Sequence, residues 1–208
     1  MLRVGLSGAN DGTVDKVFKA LQNNSTINNI FNVRFLSFSR KDFFNRITKN
    51  KKIKKGIESI MLNNLDERGF YSKSIDVNSM LSAWYFFKKV EVSCSVTDVE
   101  DNCHLLIENR TVLDSVIDNH DWETRSKIIS WLPIVLSMIN YDVIFVFGTN
   151  NKKHKQDYYR LMQLFKRYKD KDNYKIIGYP SLSNFDDVIE QIVNFIIELR
   201  DIRDEVPR

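Results

Sequence analysis

Apolar positions along this chain keep switching between a short strand rhythm and a longer helical one. Residues 2–7 form an apolar run closed by glycine, the pattern of a buried first strand. Val14, Val17, Phe18 and Leu21 then recur at helical spacing, with Asp11 or Thr13 available as the cap. Residues 33–38 alternate and carry β-formers, which predicts a second strand. A basic stretch over 40–55 holds Phe43, Phe44, Ile47 and Ile53 between its charges; it is predicted helical through Met61, with a loop over 63–74. Met80, Leu81, Trp84 and Phe87 predict a buried helix over 77–90. Residues 104–107 are apolar and run into Glu108-Asn109-Arg110, which suits a third strand and its exit. A helix is expected over 123–139, kinked or divided at Pro133. Residues 141–148 make the clearest buried strand. A basic helix over 155–168, a fifth strand over 174–178 stopped by Pro180, and a closing helix over 186–199 complete the chain.

Strands alternating with helices require right-handed crossovers and hence a parallel sheet. The expected fold is an α/β three-layer sandwich with a mostly parallel five-stranded sheet in the order 2-3-1-4-5. Strand one should be central, and strands one, three and four buried. No repeat or linker-like stretch divides residues 1–208, so one domain is expected.

Composition narrows the class without naming the function. Hydrophobic residues at 43% and charged residues at 28% lie in the globular range. Only 7 glycines and 3 prolines argue against a many-turned all-β fold. Cys94 and Cys103 set no disulfide framework, and reduced thiols in a cytoplasmic protein are the simpler reading. No apolar run is long enough to cross a membrane, and the opening residues do not read as a signal peptide. Asn/Lys/Ile-rich usage fits an AT-rich genome such as that of a virus or phage. The net charge of +4 is mild, but the basic residues are clustered.

Open parallel sheets bind ligands beyond the carboxyl ends of their strands. Three such ends carry candidate chemistry. The first spans 5–13, where Gly8, Asn10, Gly12 and Thr13 stand in the place of a phosphate-binding loop. Glycines let backbone N–H groups wrap a phosphate, and the following helix adds positive potential. A working loop of this kind has four residues between its glycines and a lysine after the second. Here Gly8 to Gly12 is one residue short, no lysine follows, and Asp11 brings a negative charge. Loss of one charge-assisted contact costs roughly 1.5–3 kcal/mol. The same glycines also serve simply to turn strand into helix. The second end carries Glu108 and Arg110, an acid to hold Mg²⁺ or a hydroxyl and a guanidinium to reach a phosphate, or equally a salt-bridged strand end with Asp114 as a helix cap. The third carries Lys152, Lys153 and Lys155, either a lid over phosphates or a solvated basic loop.

Taken together, residues 5–9, residues 108–114 and the basic segment after 141–148 resemble P-loop nucleoside and nucleotide kinases. The resemblance spans nearly the whole chain in order. It implies Glu108 and Arg110 as the family's acid–arginine pair, with Asn109 intervening, and Lys152, Lys153 and Lys155 as its lid. It implies ATP with Mg²⁺ as the ligand of an active member. The departure at the loop lysine points to a degenerate relative that binds a nucleotide or phosphate weakly and transfers little or nothing.

The remaining signals are plainer. His104, His120 and His154 lack metal-ligand spacing, and Trp84, Tyr85, Phe86 and Phe87 read as core. Two other functions stay open: a scaffold of the same fold that docks a protein partner or a second copy, and a nucleic-acid accessory protein. The latter would use the basic stretches 40–55 and 152–175, although Asp157, Asp170 and Asp172 dilute the second.

Overall fold

The computed structural model describes residues 1–8, 12–38, 77–95, 103–112, 114, 135, 139–149, 158–160, 162–163 and 175–205. The expected basic helix over 40–61, the loop over 63–74 and most of the helices over 123–139 and 155–168 lie outside the described residues. So do Asn10, Lys152, Lys153 and Lys155.

Five strands form one sheet: β1 (Leu2–Gly8), β2 (Val33–Ser37), β3 (Leu105–Asn109), β4 (Val143–Phe147) and β5 (Lys175–Tyr179). Their order is β2-β3-β1-β4-β5, as the apolar runs predict, and every pairing is parallel. β1, β3 and β4 are buried throughout; the outer strands β2 and β5 are half-exposed, as edges are. Strand alternation splits the core into two layers. On one side, Leu2, Val4, Leu6, Leu105, Ile107, Val143, Phe145 and Phe147 pack against α1 (Thr13–Gln22), α2 (Ser25–Ile30) and a long final helix. That helix, Phe185–Glu205, is numbered α4 after α3 (Val77–Ser95). On the other side, Ile144 and Val146 pack with Phe86 of α3 and with Val112, Val135, Ile139, Tyr141 and Tyr158. Phe87, expected in the core with its neighbours, is exposed instead.

Several boundaries differ from their expected places. The cap of α1 is neither Asp11 nor Thr13: Gly12 takes the N-cap with φ 84° and no side-chain hydrogen bond, and Thr13 is the first helical residue. A left-handed φ is open to glycine at little cost, so the turn out of β1 is made by backbone freedom. The short α2 has no apolar period to announce it; the Asn24 side chain starts it by accepting from the Ile27 amide at 3.0 Å. β3 runs two residues further than its apolar core, because Glu108 and Asn109 are paired with Gly5 and Leu6 on one side and Leu36 and Ser37 on the other. Ladder pairing on both edges outweighs their polarity. The final helix likewise extends to Glu205.

Candidate functional site

Gly8, the last residue of β1, stands beside Phe147 at the end of β4. Arg110 follows β3, and Gly148 and Thr149 follow β4, so all these groups share the carboxyl edge of the sheet. Beside them opens a cleft of about 570 Å³ lined by Thr13, Lys16, Lys19, Gly148, Thr149, Leu182 and Phe185. That volume lies within the ordinary range for small-molecule sites. The two lysines are exposed and lie one turn apart on α1, three residues apart on one face. The opposite wall is apolar, coming from the turn after β5 and from the first residue of α4.

The chain after β3 is clasped under the end of β1. The Thr111 amide donates to the Leu6 carbonyl at 3.1 Å, and the Gly8 amide donates to Asp114 Oδ1 at 2.9 Å. Asp114 is buried, and its other oxygen lies 3.4 Å from Thr111 Oγ1. The loop's first glycine amide is therefore already engaged by a carboxylate of this chain. Gly8 also has a packing reason to be glycine: a Cβ there would stand 2.6 Å from the Phe147 carbonyl oxygen. On the other flank of α1, Asn109 Nδ2 donates to Asp15 Oδ1 at 3.0 Å and ties β3 to the first helical turn. Arg110 is half-buried and adopts φ 60°, a left-handed conformation unusual for arginine.

Of the residues singled out by sequence, Gly8, Gly12, Thr13 and Arg110 gather at this edge. Glu108 stands elsewhere. It pairs with Gly5, three residues before the end of β1, which is roughly 10 Å at the rise of a strand. Its side chain faces the α3 layer and is 2% exposed. Oε2 accepts from Arg3 Nη2 at 3.1 Å and from the Tyr141 hydroxyl at 2.8 Å, while Oε1 accepts from Ser93 Oγ at 2.7 Å. The Arg3 guanidinium, equally buried, also donates to the carbonyls of Ile139 at 3.0 Å and Ser93 at 2.8 Å. It stacks 5.1 Å from the centre of the Tyr141 ring. Gly5 makes room for this cluster, since a Cβ there would meet Thr111 Cγ2 at 2.5 Å and the Tyr141 ring at 3.0 Å. Sequence reasoning passes over Arg3 and Tyr141, although a lone arginine inside an apolar strand is itself a signal of a buried counter-charge. It also misses Lys19 and Phe185, whose meeting depends on how α1 and α4 pack.

Burial, and then the Glu108 carboxylate, push the Tyr141 hydroxyl well above its ordinary value of 10.0. In the folded chain Tyr141 stays neutral where the unfolded chain has begun to ionise. Its contribution to stability is thus complete below pH 10.0 and is lost as pH rises from there toward the folded value. Burial moves Tyr158 and Tyr179 the same way, though both are only partly enclosed. Urea midpoints measured from about pH 9 to about pH 11 should fall with rising pH. Tyr141→Phe should flatten that fall, while costing about 1.5–3 kcal/mol at neutral pH for the lost hydrogen bond to a buried carboxylate.

Among the described residues no group of three or more His, Cys, Asp or Glu side chains is placed to hold a metal ion, and no helix is long and apolar enough to cross a membrane. Among the described residues, the side-chain donors lining the cleft are two ammonium groups and two hydroxyls. They suit anionic oxygen.

The class that fold and site define is an all-parallel five-stranded α/β protein with a cationic cleft at the carboxyl edge. No protein-family model matches the chain, and no curated protein matches it. Among solved structures, the chain is similar to one in the MinC:MinD cell division protein complex of Aquifex aeolicus. The two share 12% identity with a TM-score of 0.39, over 86% of this chain and 68% of that one. The MinD cell division protein of Aquifex aeolicus matches at 12% identity with a TM-score of 0.38, over 86% and 69% of the two chains.

Proposed function

We propose that this chain binds a nucleotide or related phosphate weakly at the carboxyl edge of its sheet, with little or no phosphoryl transfer. One observation carries the reading: Thr13, Lys16, Lys19 and Thr149 face one cleft beside the start of α1, opposite an apolar wall. Cations, hydroxyls and a helix N-terminus suit a phosphate, and Leu182 and Phe185 suit the flat apolar face of a base. Gly12 makes the turn that starts α1, and Arg110 stands at the same edge. Glu108 lies behind the sheet, where its carboxylate holds Arg3. The loop of this degenerate kinase-like protein lacks the lysine that neutralises transferring phosphates, which is where such catalysis resides.

Thermal shift with ATP, GTP and nucleoside monophosphates, with and without Mg²⁺, tests binding, because a ligand stabilises by RT ln(1 + L/Kd). A rise in Tm with at least one nucleotide is expected. ADP release across a panel of nucleosides and monophosphates should remain below the ordinary kinase range of about 1–100 s⁻¹. Turnover inside that range, abolished by Arg110→Ala, would overturn the degenerate part of the reading. A scaffold of the same fold is the second reading. It is favoured by the engagement of Gly8 and Glu108 in packing that serves the fold without any ligand. A defined assembly with no nucleotide effect would put it first.

A further inference from the structure

A buried carboxylate stands at the edge of the sheet where an anion would be held. Asp114 is 2% exposed, and its Oδ1 accepts from the Gly8 amide at 2.9 Å. Gly8 lies next to the cleft, because a Cβ there would strike Phe147 and Val14, and their chain neighbours Gly148 and Thr13 line it. Oδ2 of Asp114 lies 3.4 Å from Thr111 Oγ1, long for a hydrogen bond between two oxygens. Beside this contact stands an idle donor. The Ser7 hydroxyl is fully buried and makes no hydrogen bond among the described residues, although Ser7 directly precedes Gly8. A buried hydroxyl without a partner is a cost to the folded state. Strand alternation puts Ser7 on the face of β1 that carries Arg3 and Gly5. The chain after β3 crosses that same face: a Cβ on Gly5 would meet Thr111 Cγ2 at 2.5 Å, and the Asp114 amide donates to the Thr111 carbonyl at 3.1 Å. The carboxylate therefore sits beside two donors of adjacent residues, one used and one idle.

Resting on the phosphate-binding reading, we propose that Asp114 is an internal competitor of the ligand: in the free chain its carboxylate occupies the Gly8 amide, and on anion binding it turns to the Ser7 hydroxyl and releases that amide. A carboxylate and a phosphate oxygen satisfy the same donor, and two anions side by side repel each other, so the ligand has to turn Asp114 away. The exchange leaves nothing unsatisfied. The Gly8 N–H passes from carboxylate to ligand, and the Ser7 O–H, idle before, donates to the carboxylate. Weak affinity then has an internal cause besides the missing loop lysine, because only the fraction of molecules with the amide released is competent to bind.

Titration of the full chain with inorganic phosphate and with ATP tests the exchange, read by affinity and by the Gly8 amide resonance in solution NMR. Tm confirms that each variant is folded. Asp114→Asn keeps the side chain's shape and an acceptor for Gly8 but removes the charge. It should bind both anions about tenfold more tightly, the step from a charge-assisted to a neutral hydrogen bond at that amide. Ser7→Ala should leave the Tm of the free chain unchanged or higher, since the hydroxyl bonds nothing there. It should nevertheless weaken both anions about three- to tenfold, the size of one hydrogen bond to a charged group. In the wild type, phosphate should shift the Gly8 amide resonance. Asp114→Asn binding no more tightly than wild type, or Ser7→Ala binding as tightly, would overturn the exchange and leave the phosphate reading standing, with Asp114 a clasp of the fold alone. Ser7→Ala keeps the proposal open to refutation even if Asp114→Asn does not fold. No binding of either anion by wild type or by a folded Asp114→Asn would overturn both readings together.

Discussion

Glu108→Ala is expected to cost the protein about 3–5 kcal/mol, the usual result of removing one partner from a buried ion pair. A domain of ordinary stability has about 5–15 kcal/mol in all, so this single truncation takes much of it. The reason lies in what is left behind. The Arg3 guanidinium would remain 2% exposed with two backbone carbonyls and a tyrosine ring for company. Ser93 Oγ and the Tyr141 hydroxyl would lose their acceptor as well. Coulombic attraction is not what makes the loss large; desolvated groups without partners do. The companion double variant Arg3→Met/Glu108→Leu removes both charges, and it should lie much closer to wild type. Urea denaturation of Arg3→Met, Glu108→Leu and the double gives the coupling energy directly. An unchanged midpoint in Glu108→Ala, with lowered ligand affinity, would instead place Glu108 in the chemistry of the cleft.

Gly148→Ala should destabilise by about 1–3 kcal/mol and displace one wall of the site in the same stroke. A Cβ at this position would strike the Pro180 carbonyl oxygen, with the Pro180 carbonyl carbon at 2.8 Å and Cα at 3.0 Å. All three obstacles are backbone, so no side-chain rotation relieves them. The Gly148 amide meanwhile donates to the Tyr179 carbonyl at 2.7 Å, and this bond must lengthen if the two segments part. Leu182 and Phe185 follow that turn directly, so the apolar wall of the cleft moves with it. Gly178→Ala provides the control. There the nearest atoms a Cβ would meet are the Tyr158 hydroxyl and the end of Met162, side-chain tips that can give more readily than backbone. A midpoint for Gly148→Ala no lower than that for Gly178→Ala would refute the argument.

The alternation of apolar runs is enough to read the sheet. A buried strand flanked by two others shows as a continuous apolar segment, and residues 2–7 and 143–147 carry that signature at the level of composition alone. Helical spacing at Val14, Val17, Phe18 and Leu21 likewise marks the face of α1 that is buried. Right-handed crossovers then leave few ways to arrange five strands. The loop between Gly8 and Thr13 is legible as a strand-to-helix turn, because glycine and spacing are local properties.

What the sequence could not decide was which side of a strand a polar residue serves. Glu108 and Asn109 are adjacent in the chain, yet strand alternation sends one to Arg3 behind the sheet and the other to Asp15 on α1. Only the position of the strand's last paired residue fixes that parity, and ladder partners from two other strands set it. The partners themselves are 105 and 94 residues away along the chain. The cleft is of the same kind, since Lys16 and Phe185 meet only when α1 and α4 pack side by side on the sheet. Local pattern sets each element because propensity and periodicity act over a turn or two. The site and its charges were decided by tertiary packing, because electrostatic and packing partners are chosen by distance in space.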